Sequence, residues 1–168
     1  MASDNLSFFT QRNHPQWAVV DVKEAIAHAV QNAQDTLEHQ QTICQANLPE
    51  SQLLTFGDEN WICMAITNLV VNAIEHSPAT ATIKLTAQEV QQTIEINVSD
   101  QGPGVFPGGE YKLFKPFYTT KPGATGLGLA NVRTVMEKHG GGIRVGNHHE
   151  GGAVFTLILQ ALQRQKAA

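Results

Sequence analysis

Asn68, Asn72 and Glu75 stand at positions i, i+4 and i+7 of a single stretch, Asn-Leu-Val-Val-Asn-Ala-Ile-Glu-His-Ser over residues 68–77. At about 100° per residue this spacing gathers two amides and a carboxylate into a narrow wedge on one side of a helix. Ile62, Ile66, Leu69 and Ala73 fill the neighbouring stripe, spaced as a face turned towards a core. The helix therefore offers the core one face and a ligand another. Taken alone, an N-x-x-x-N spacing is also what a merely exposed face shows, so the other polar blocks must decide between the two.

Three further blocks carry chemistry. Asp100-Gln-Gly102-Pro-Gly104 begins where a strand is expected to end. A carboxylate held there could accept a hydrogen bond from an amino group such as the adenine N6, while the glycines let backbone approach a flat ligand closely. An ordinary Gly-rich turn is the competing explanation. Gly123-Ala-Thr125-Gly126-Leu127-Gly128-Leu129 leads directly into a helix, where backbone N–H groups and the positive end of the dipole suit a phosphate. It has neither the Gly-Lys-Ser/Thr of a P-loop nor an opening strand with G-x-G-x-x-G, and packing glycines at a helix start would look the same. Between these two blocks, residues 113–121 place Phe114, Phe117 and Tyr118 beside Lys115 and Lys121. The lysines are the natural cations for a phosphate tail, and Phe114 and Phe117 could equally pin the loop to the core.

The elements that must position these groups follow from local signals. Asp21 with Glu24 resembles a capping box before an apolar repeat, predicting a helix over about 21–39. Residues 42–48 suit an edge strand closed by Pro49. Asp58 caps a second helix that runs to about 75 and is ended by Ser77-Pro78. Residues 81–89 and 93–99 alternate as an antiparallel hairpin does. Five glycines and four prolines between 100 and 125 make an irregular segment, too long for a plain connection and suited to a lid. Helical spacing resumes over 126–139 and stops at Gly140-Gly141-Gly142; residues 143–145 and 153–159 read as two last strands. Residues 1–19 read as a linker or lead-in, 20–160 as one domain, and 161–168 as a flexible tail.

Composition bounds what the wedge can serve. A chain of 168 residues suits one core, and 42% hydrophobic against 15% charged residues marks a globular protein. No apolar run reaches the roughly 18 residues of a membrane span, so no membrane contact by this domain is expected. A net charge of −4 with scattered Lys and Arg gives no footprint for nucleic acid. Cys44 and Cys63 lack metal-ligand spacing and read as reduced core thiols in a cytoplasmic compartment, and no secretory signal pattern opens the chain.

Together and in this order, the four blocks resemble the ATP-binding catalytic domain of bacterial sensor histidine kinases over about residues 20–160. The N box corresponds to residues 68–77, the G1 box to 100–104, the F box to 114–121 and the G2 box to 125–129. The resemblance implies an α/β fold, a two-layer α/β sandwich of Bergerat type. In it a mixed sheet is covered on one face by about three helices, and a long lid closes over ATP. It assigns Asp100 to adenine, Asn72 to Mg²⁺, Asn68 to the neighbourhood of the phosphates, and Gly126, Leu127, Gly128 and Leu129 to the phosphates. Asn68, Asn72 and Lys121 are the expected catalytic residues; Glu75, His76, Gly102, Gly104, Lys115, Phe117 and Thr125 complete the expected nucleotide site. Magnesium suits this chemistry because it takes few protein oxygens and completes its shell from phosphates and water.

Gyrase-type, chaperone and mismatch-repair ATPases share this fold and resemble one another in a Glu one turn before the metal-binding Asn, where it acts as general base. Here that position is Asn68, which cannot take up a proton. A histidine acceptor needs less help, because neutral imidazole is already a nucleophile near pH 7. The Asn68 and Asn72 pair thus favours transfer of the γ-phosphoryl group to a His over efficient ATP hydrolysis. Glu75 and His76 depart from the family, many of whose members carry Lys or Arg, and often Tyr, there; phosphate binding then passes to Lys121 or Lys115. Of seven histidines only His149 precedes an acidic residue, Glu150, and it falls in an expected surface turn. The phosphoacceptor is therefore expected on a separate dimerisation domain, with a response regulator as indirect partner, micromolar nucleotide binding, little self-labelling and a monomer in isolation. The location expected is the cytoplasm, as the cytosolic part of a membrane-bound sensor if the natural chain is one. A nucleotide-binding signalling module without transfer, and a slow ATPase, remain the alternatives.

Overall fold

A computed structural model describes residues 14–163. The rest of the expected lead-in and tail, 1–13 and 164–168, lies outside the described residues. The described residues form seven strands and five helices. In chain order these are β1 (Ala18–Asp21), α1 (Val22–Asn32), α2 (Gln34–Gln40), β2 (Ile43–Asn47), β3 (Leu54–Gly57), α3 (Glu59–His76), β4 (Thr82–Val90), β5 (Thr93–Ser99), α4 (Glu110–Leu113), α5 (Gly128–Lys138), β6 (Gly142–Asn147) and β7 (Ala153–Gln160). β1 and β3 form a two-stranded antiparallel ribbon. The main sheet has the order β2-β4-β5-β7-β6, with β2 parallel to β4 and the remaining pairs antiparallel.

Alternation decides which face of the sheet meets the helices. In β4, Ile83, Leu85 and Ala87 are buried; in β5, Ile94, Ile96 and Val98 are. Register places Leu85 against Val98, Ile96 against Leu157 and Val98 against Phe155, so one face is a continuous apolar layer. α1, α3 and α5 contribute Ile26, Ile62, Ile66, Leu69, Val132 and Met136 to the same core. Truncating one such fully buried side chain to Ala costs about 2–5 kcal/mol. The layer is therefore a stiff base for whatever the strand ends and α3 present. The expected two-layer sandwich, with a mixed sheet and its helices, is the observed fold.

Four local expectations are corrected. The helix predicted over 21–39 is divided at Ala33 (φ −87°, ψ 0°), whose N–H is shared between the Ala29 and Gln31 carbonyls. No Gly or Pro marks that break. Ala18 and Val19, placed in the lead-in, belong to β1, and β3 has no counterpart in the expected elements; each of these strands buries too few side chains to show a period. Ala161 and Leu162, placed in the tail, donate backbone bonds to the Gln92 and Leu54 carbonyls. Cys44 is half-buried on the edge strand β2 instead of lying in the core, yet burial still pushes its thiol from 9.0 up to about 11; burial also raises that of Cys63.

α3 is fixed at its start. Asp58 caps it by accepting from the Trp61 N–H at 3.1 Å, and its other oxygen accepts from the Gln16 N–H at 2.6 Å. The Asp58 N–H in turn donates to His139 Nε2 at 3.0 Å, while His139 Nδ1 lies 2.7 Å from the Val135 carbonyl. A carbonyl only accepts, so the proton is on Nδ1 and Nε2 is the acceptor. Gly57 is required there, because a Cβ would stand 2.5 Å from His139 Cδ2. The end of α5 thereby sets where α3 begins, and with it the rotation of the Asn68 wedge.

Candidate functional site

The wedge faces a cleft. Asn68, Asn72, Glu75 and His76 on α3 form one wall, residues 118–126 form the opposite one, and Gly128 and Leu129 at the start of α5 close the end; the volume is about 520 Å³. Asn68 and Asn72 are half-buried on the side of α3 away from Leu69 and Ala73, which are fully in the core. The helical spacing thus produces the division expected of it. His76 is turned back on its own helix, its Nδ1 donating to the Asn72 carbonyl at 2.8 Å.

Opposite α3, the chain from Glu110 onward folds into one short helix, α4, within a stretch expected to be wholly irregular. Phe114 is buried and meets Phe155 edge-on with centroids 6.4 Å apart, which anchors the loop. Phe117 is not an anchor: it is 76% exposed, holds φ 66° and lies outside the cleft lining. Its backbone matters instead. The Phe117 N–H donates to the Gly126 carbonyl at 3.0 Å, and Gly126 (φ 68°) has no room for a Cβ, which would stand 2.5 Å from the Phe117 carbonyl carbon. Gly126 is thus required by conformation and by close approach at once.

The two lysines differ. Lys121 reaches across the cleft and pairs with Glu75, with its backbone N–H bonded to Thr119 Oγ1 at 3.0 Å. Lys115 lies over the Tyr111 ring, 5.2 Å from its centroid, and does not line the cleft. α5 begins at Gly128 with Leu127 as its N-cap and no side-chain cap, so no side chain competes for the first N–H groups of an 11-residue helix. Thr125 lines the cleft beside them, and Leu127 does not.

Asp100 stands beyond the other end of the N box. Its side chain is 6% exposed, and Oδ1 accepts from the Gly102 N–H and the Ala153 N–H, both at 2.9 Å. Two backbone donors on one oxygen fix the carboxylate direction. Gly102 packs on α3 so closely that a Cβ would stand 2.5 Å from the His76 carbonyl oxygen, and the Gln101 N–H donates to Ser77 Oγ at 3.0 Å. The strand end and the helix end are therefore one piece. Asp100 and Gly102 line a separate cavity of about 210 Å³ together with Thr82, Lys84 and the turn after β6. The structure so joins Asn68, Asn72, Glu75, His76, Lys121, Thr125, Gly126, Gly128 and Leu129 around one cleft; Asp100 and Gly102 line the separate cavity, with Gly102 packed on His76, and Gly104 lines neither.

One positioning residue has no signal in the sequence. Asn147, the last residue of β6, accepts from the Val105 N–H at 2.6 Å and donates to the Val105 carbonyl at 2.8 Å. Gly104 (φ 78°) is held beneath it, where a Cβ would meet Asn147 Oδ1 at 2.6 Å. Asn147 therefore fixes where the loop after Asp100 departs. An Asn before a Gly-containing turn reads as turn chemistry, which hides this role.

The chain and its fold also resemble known proteins. The model of a family described as histidine kinase-, DNA gyrase B-, and HSP90-like ATPase matches residues 57–163. The sensor histidine kinase ZraS of Salmonella typhimurium is 30% identical over 154 residues, covering 91% of this chain and 33% of its own length. The sensor-like histidine kinase SenX3 of Mycobacterium tuberculosis is 32% identical over 154 residues, covering 88% and 37%. The chain thus spans about a third of the length of the curated relatives it matches. Among solved structures, the nucleotide-free catalytic domain of the histidine kinase ThkA superposes with a TM-score of 0.79 at 27% identity, covering 86% of this chain and 95% of that one.

Proposed function

The chain belongs to the histidine kinase-, DNA gyrase B- and HSP90-like ATPase family, as a catalytic ATP-binding domain of the sensor histidine kinase type, and from that premise we propose that residues 20–160 bind Mg-ATP and deliver its γ-phosphoryl group to a histidine on a separate dimerisation domain. The observation that carries the proposal is the cleft itself. Two amides on α3 face an uncapped helix N-terminus across a space that holds one lysine.

Each residue's part follows from its place. The fixed Asp100 carboxylate accepts from the exocyclic amino group of the base, and Gly102 and Gly104 let its loop pack against His76 and Asn147. The first N–H groups of α5, from Gly128, take phosphate oxygens, helped by the dipole. Lys121 leaves Glu75 for the phosphates as they enter. The donor set suits magnesium: Asn72 supplies a neutral amide oxygen at the cleft wall, with Asn68 one turn away. Bound there, the ion would offset charge on the β- and γ-phosphates.

In the transfer, an imidazole nitrogen of the acceptor forms a bond to the γ-phosphorus, and the bond from that phosphorus to the β–γ bridging oxygen breaks, releasing ADP. Positioning and charge stabilisation supply most of the rate in such a step. Asn68 cannot act as a base for water, so hydrolysis is slow beside transfer. The phosphohistidine formed passes its group to a response regulator. Among the described residues no helix is long and apolar enough to cross a membrane, and we place the domain in the cytoplasm.

Incubation with labelled ATP tests the proposal directly. Label should appear as acid-labile phosphohistidine only when a dimerisation domain carrying an acceptor His is added, and should stay low on this chain alone. Steady phosphate release without any acceptor, abolished by Asn68→Ala, would assign a slow ATPase instead. Binding of ATP with no transfer to any acceptor would leave a nucleotide-sensing module.

A further inference from the structure

The turn between β6 and β7 carries His148, His149 and Glu150, none of which lines the cleft between α3 and residues 118–126. One ligand atom from each lies within 4.8 Å of the others, and among the described residues this is the one such trio of His, Cys, Asp or Glu. His148 Nδ1 and His149 Nε2 each stand 3.9 Å from an oxygen of Glu150, and the two imidazole centroids are 4.3 Å apart. We propose that this turn binds a borderline transition-metal ion of the Zn²⁺ class through two imidazoles and one carboxylate.

Three features of the turn support this ligand set. Tetrahedral bonds of about 2.0–2.1 Å put neighbouring ligand atoms roughly 3.4 Å apart, so closing on an ion requires only about an ångström of side-chain movement. His149, 81% exposed, is free to make it. His148 Nδ1 already accepts from the Glu150 N–H at 3.2 Å, which keeps a lone pair directed towards Glu150, and this long bond is cheaply exchanged for a metal. The backbone beneath is built to hold the trio outward: the His148 N–H donates to the Gly152 carbonyl at 2.9 Å and the Gly151 N–H to the His148 carbonyl at 3.0 Å, with Gly151 and Gly152 at φ 96° and 87°. Imidazole nitrogens favour Zn²⁺, Ni²⁺ and Cu²⁺ over Mg²⁺ and Ca²⁺. The turn therefore selects a different ion from the one proposed at Asn72.

Occupancy is felt at the cavity that Asp100 lines. Immediately after the trio, Ala153 donates to Asp100 and Gly152 packs without a Cβ on the Asp100 carbonyl; immediately before it, Asn147 clamps Val105. An ion that joins residues 148–150 stiffens this exposed turn, whose freedom reaches base binding through the Ala153–Asp100 bond. Metal and base then bind with positive, reciprocal coupling. This second part rests on Asp100 as the base acceptor, whereas the metal site does not.

The test is a titration of Zn²⁺ into the chain without nucleotide and with millimolar Mg²⁺ present, read by competition with a chromophoric chelator, for wild type, His149→Ala and Glu150→Gln. One Zn²⁺ per chain is expected, with affinity reduced about tenfold or more in either variant at unchanged melting temperature. No Zn²⁺ uptake, or equal uptake in wild type and His149→Ala, overturns the site. Adenosine, which has no phosphate to chelate the ion, then reads the coupling: it should bind more tightly to the Zn²⁺-loaded wild type and equally to His149→Ala with or without Zn²⁺. Identical adenosine binding in loaded and empty wild type overturns the coupling alone, and Asp100→Ala binding adenosine as wild type does marks failure of the base assignment instead.

Discussion

The two ends of the proposed nucleotide site are built by opposite means. At the Asp100 end the acceptor itself is buried and backbone-bonded: two N–H groups fix one carboxylate oxygen, and Gly102 and Gly152 are packed so closely that neither leaves space for a Cβ. At the Lys121 end the contacts are exposed and local: an ion pair to Glu75, whose side chain is 46% exposed, and a Thr119 hydroxyl two residues away. Gly123 there is open, and a Cβ on it would meet nothing within 4 Å beyond its chain neighbours. The difference separates two tasks. Base recognition needs a preformed acceptor, since any freedom left in it is subtracted from affinity. Phosphate recognition needs a cation that can change partners, and an exposed ion pair worth about 0–1 kcal/mol is easily exchanged.

Asp100→Ala should produce the largest effect. Loss of a charged hydrogen bond of about 1.5–3 kcal/mol lowers ATP and adenosine affinity roughly 10- to 100-fold, read by calorimetric titration. The same change strands the Gly102 and Ala153 N–H groups, so the melting temperature falls as well. Asp100→Asn separates the two effects, because its amide oxygen can still accept from both backbone donors while the charge is gone. Equal nucleotide affinity in wild type and both variants would remove Asp100 from the site and end the contrast between the two ends. Asn72→Ala comes next: about tenfold weaker ATP binding with Mg²⁺ and no change in EDTA. An effect of the same size in EDTA would mean that Asn72 touches the nucleotide and not the ion.

How far this contrast can be read in the sequence depends on how local each contact is. α3 is legible because its cap, its apolar stripe and its Ser77-Pro78 stop all lie within one segment, and Asp58 does cap it. The hairpin of β4 and β5 is legible for the same reason. The bonds that rotate and place these elements are not: Asp58 meets His139 across 81 residues and Val105 meets Asn147 across 42. Neither His139 nor Asn147 has any local pattern to announce its partner. Motif resemblance found the cleft walls, yet it could not show that Lys115 turns towards Tyr111 or that the Phe117 ring points to solvent, since side-chain direction there follows from how residues 117 and 126 cross.

That crossing supplies the third test. Gly126→Ala forces a side chain into a φ of 68° against the Phe117 backbone, a local strain of about 1–3 kcal/mol. The residues that face the phosphates shift, so ATP binding should weaken several-fold. Adenosine, which needs only the Asp100 end, should bind as before. A matching loss for adenosine would show that the two ends move together, against the contrast.

The smallest effect concerns Glu75, and its sign is the informative part. Glu75 holds Lys121 across the cleft, so a phosphate must displace a carboxylate before it gains the cation. Glu75→Gln removes that competitor and leaves a neutral amide of the same size. ATP should then bind more tightly by up to about fivefold, the equivalent of an exposed pair worth no more than about 1 kcal/mol. Adenosine affinity should not change, and the gain should shrink at 1 M salt, where the screening length falls to about 3 Å. Weaker ATP binding in Glu75→Gln would mean that the carboxylate helps hold the bound nucleotide, through the ion or a hydroxyl. In that case the acidic residue at this departure from the family is part of the grip on ATP and not a latch on its lysine.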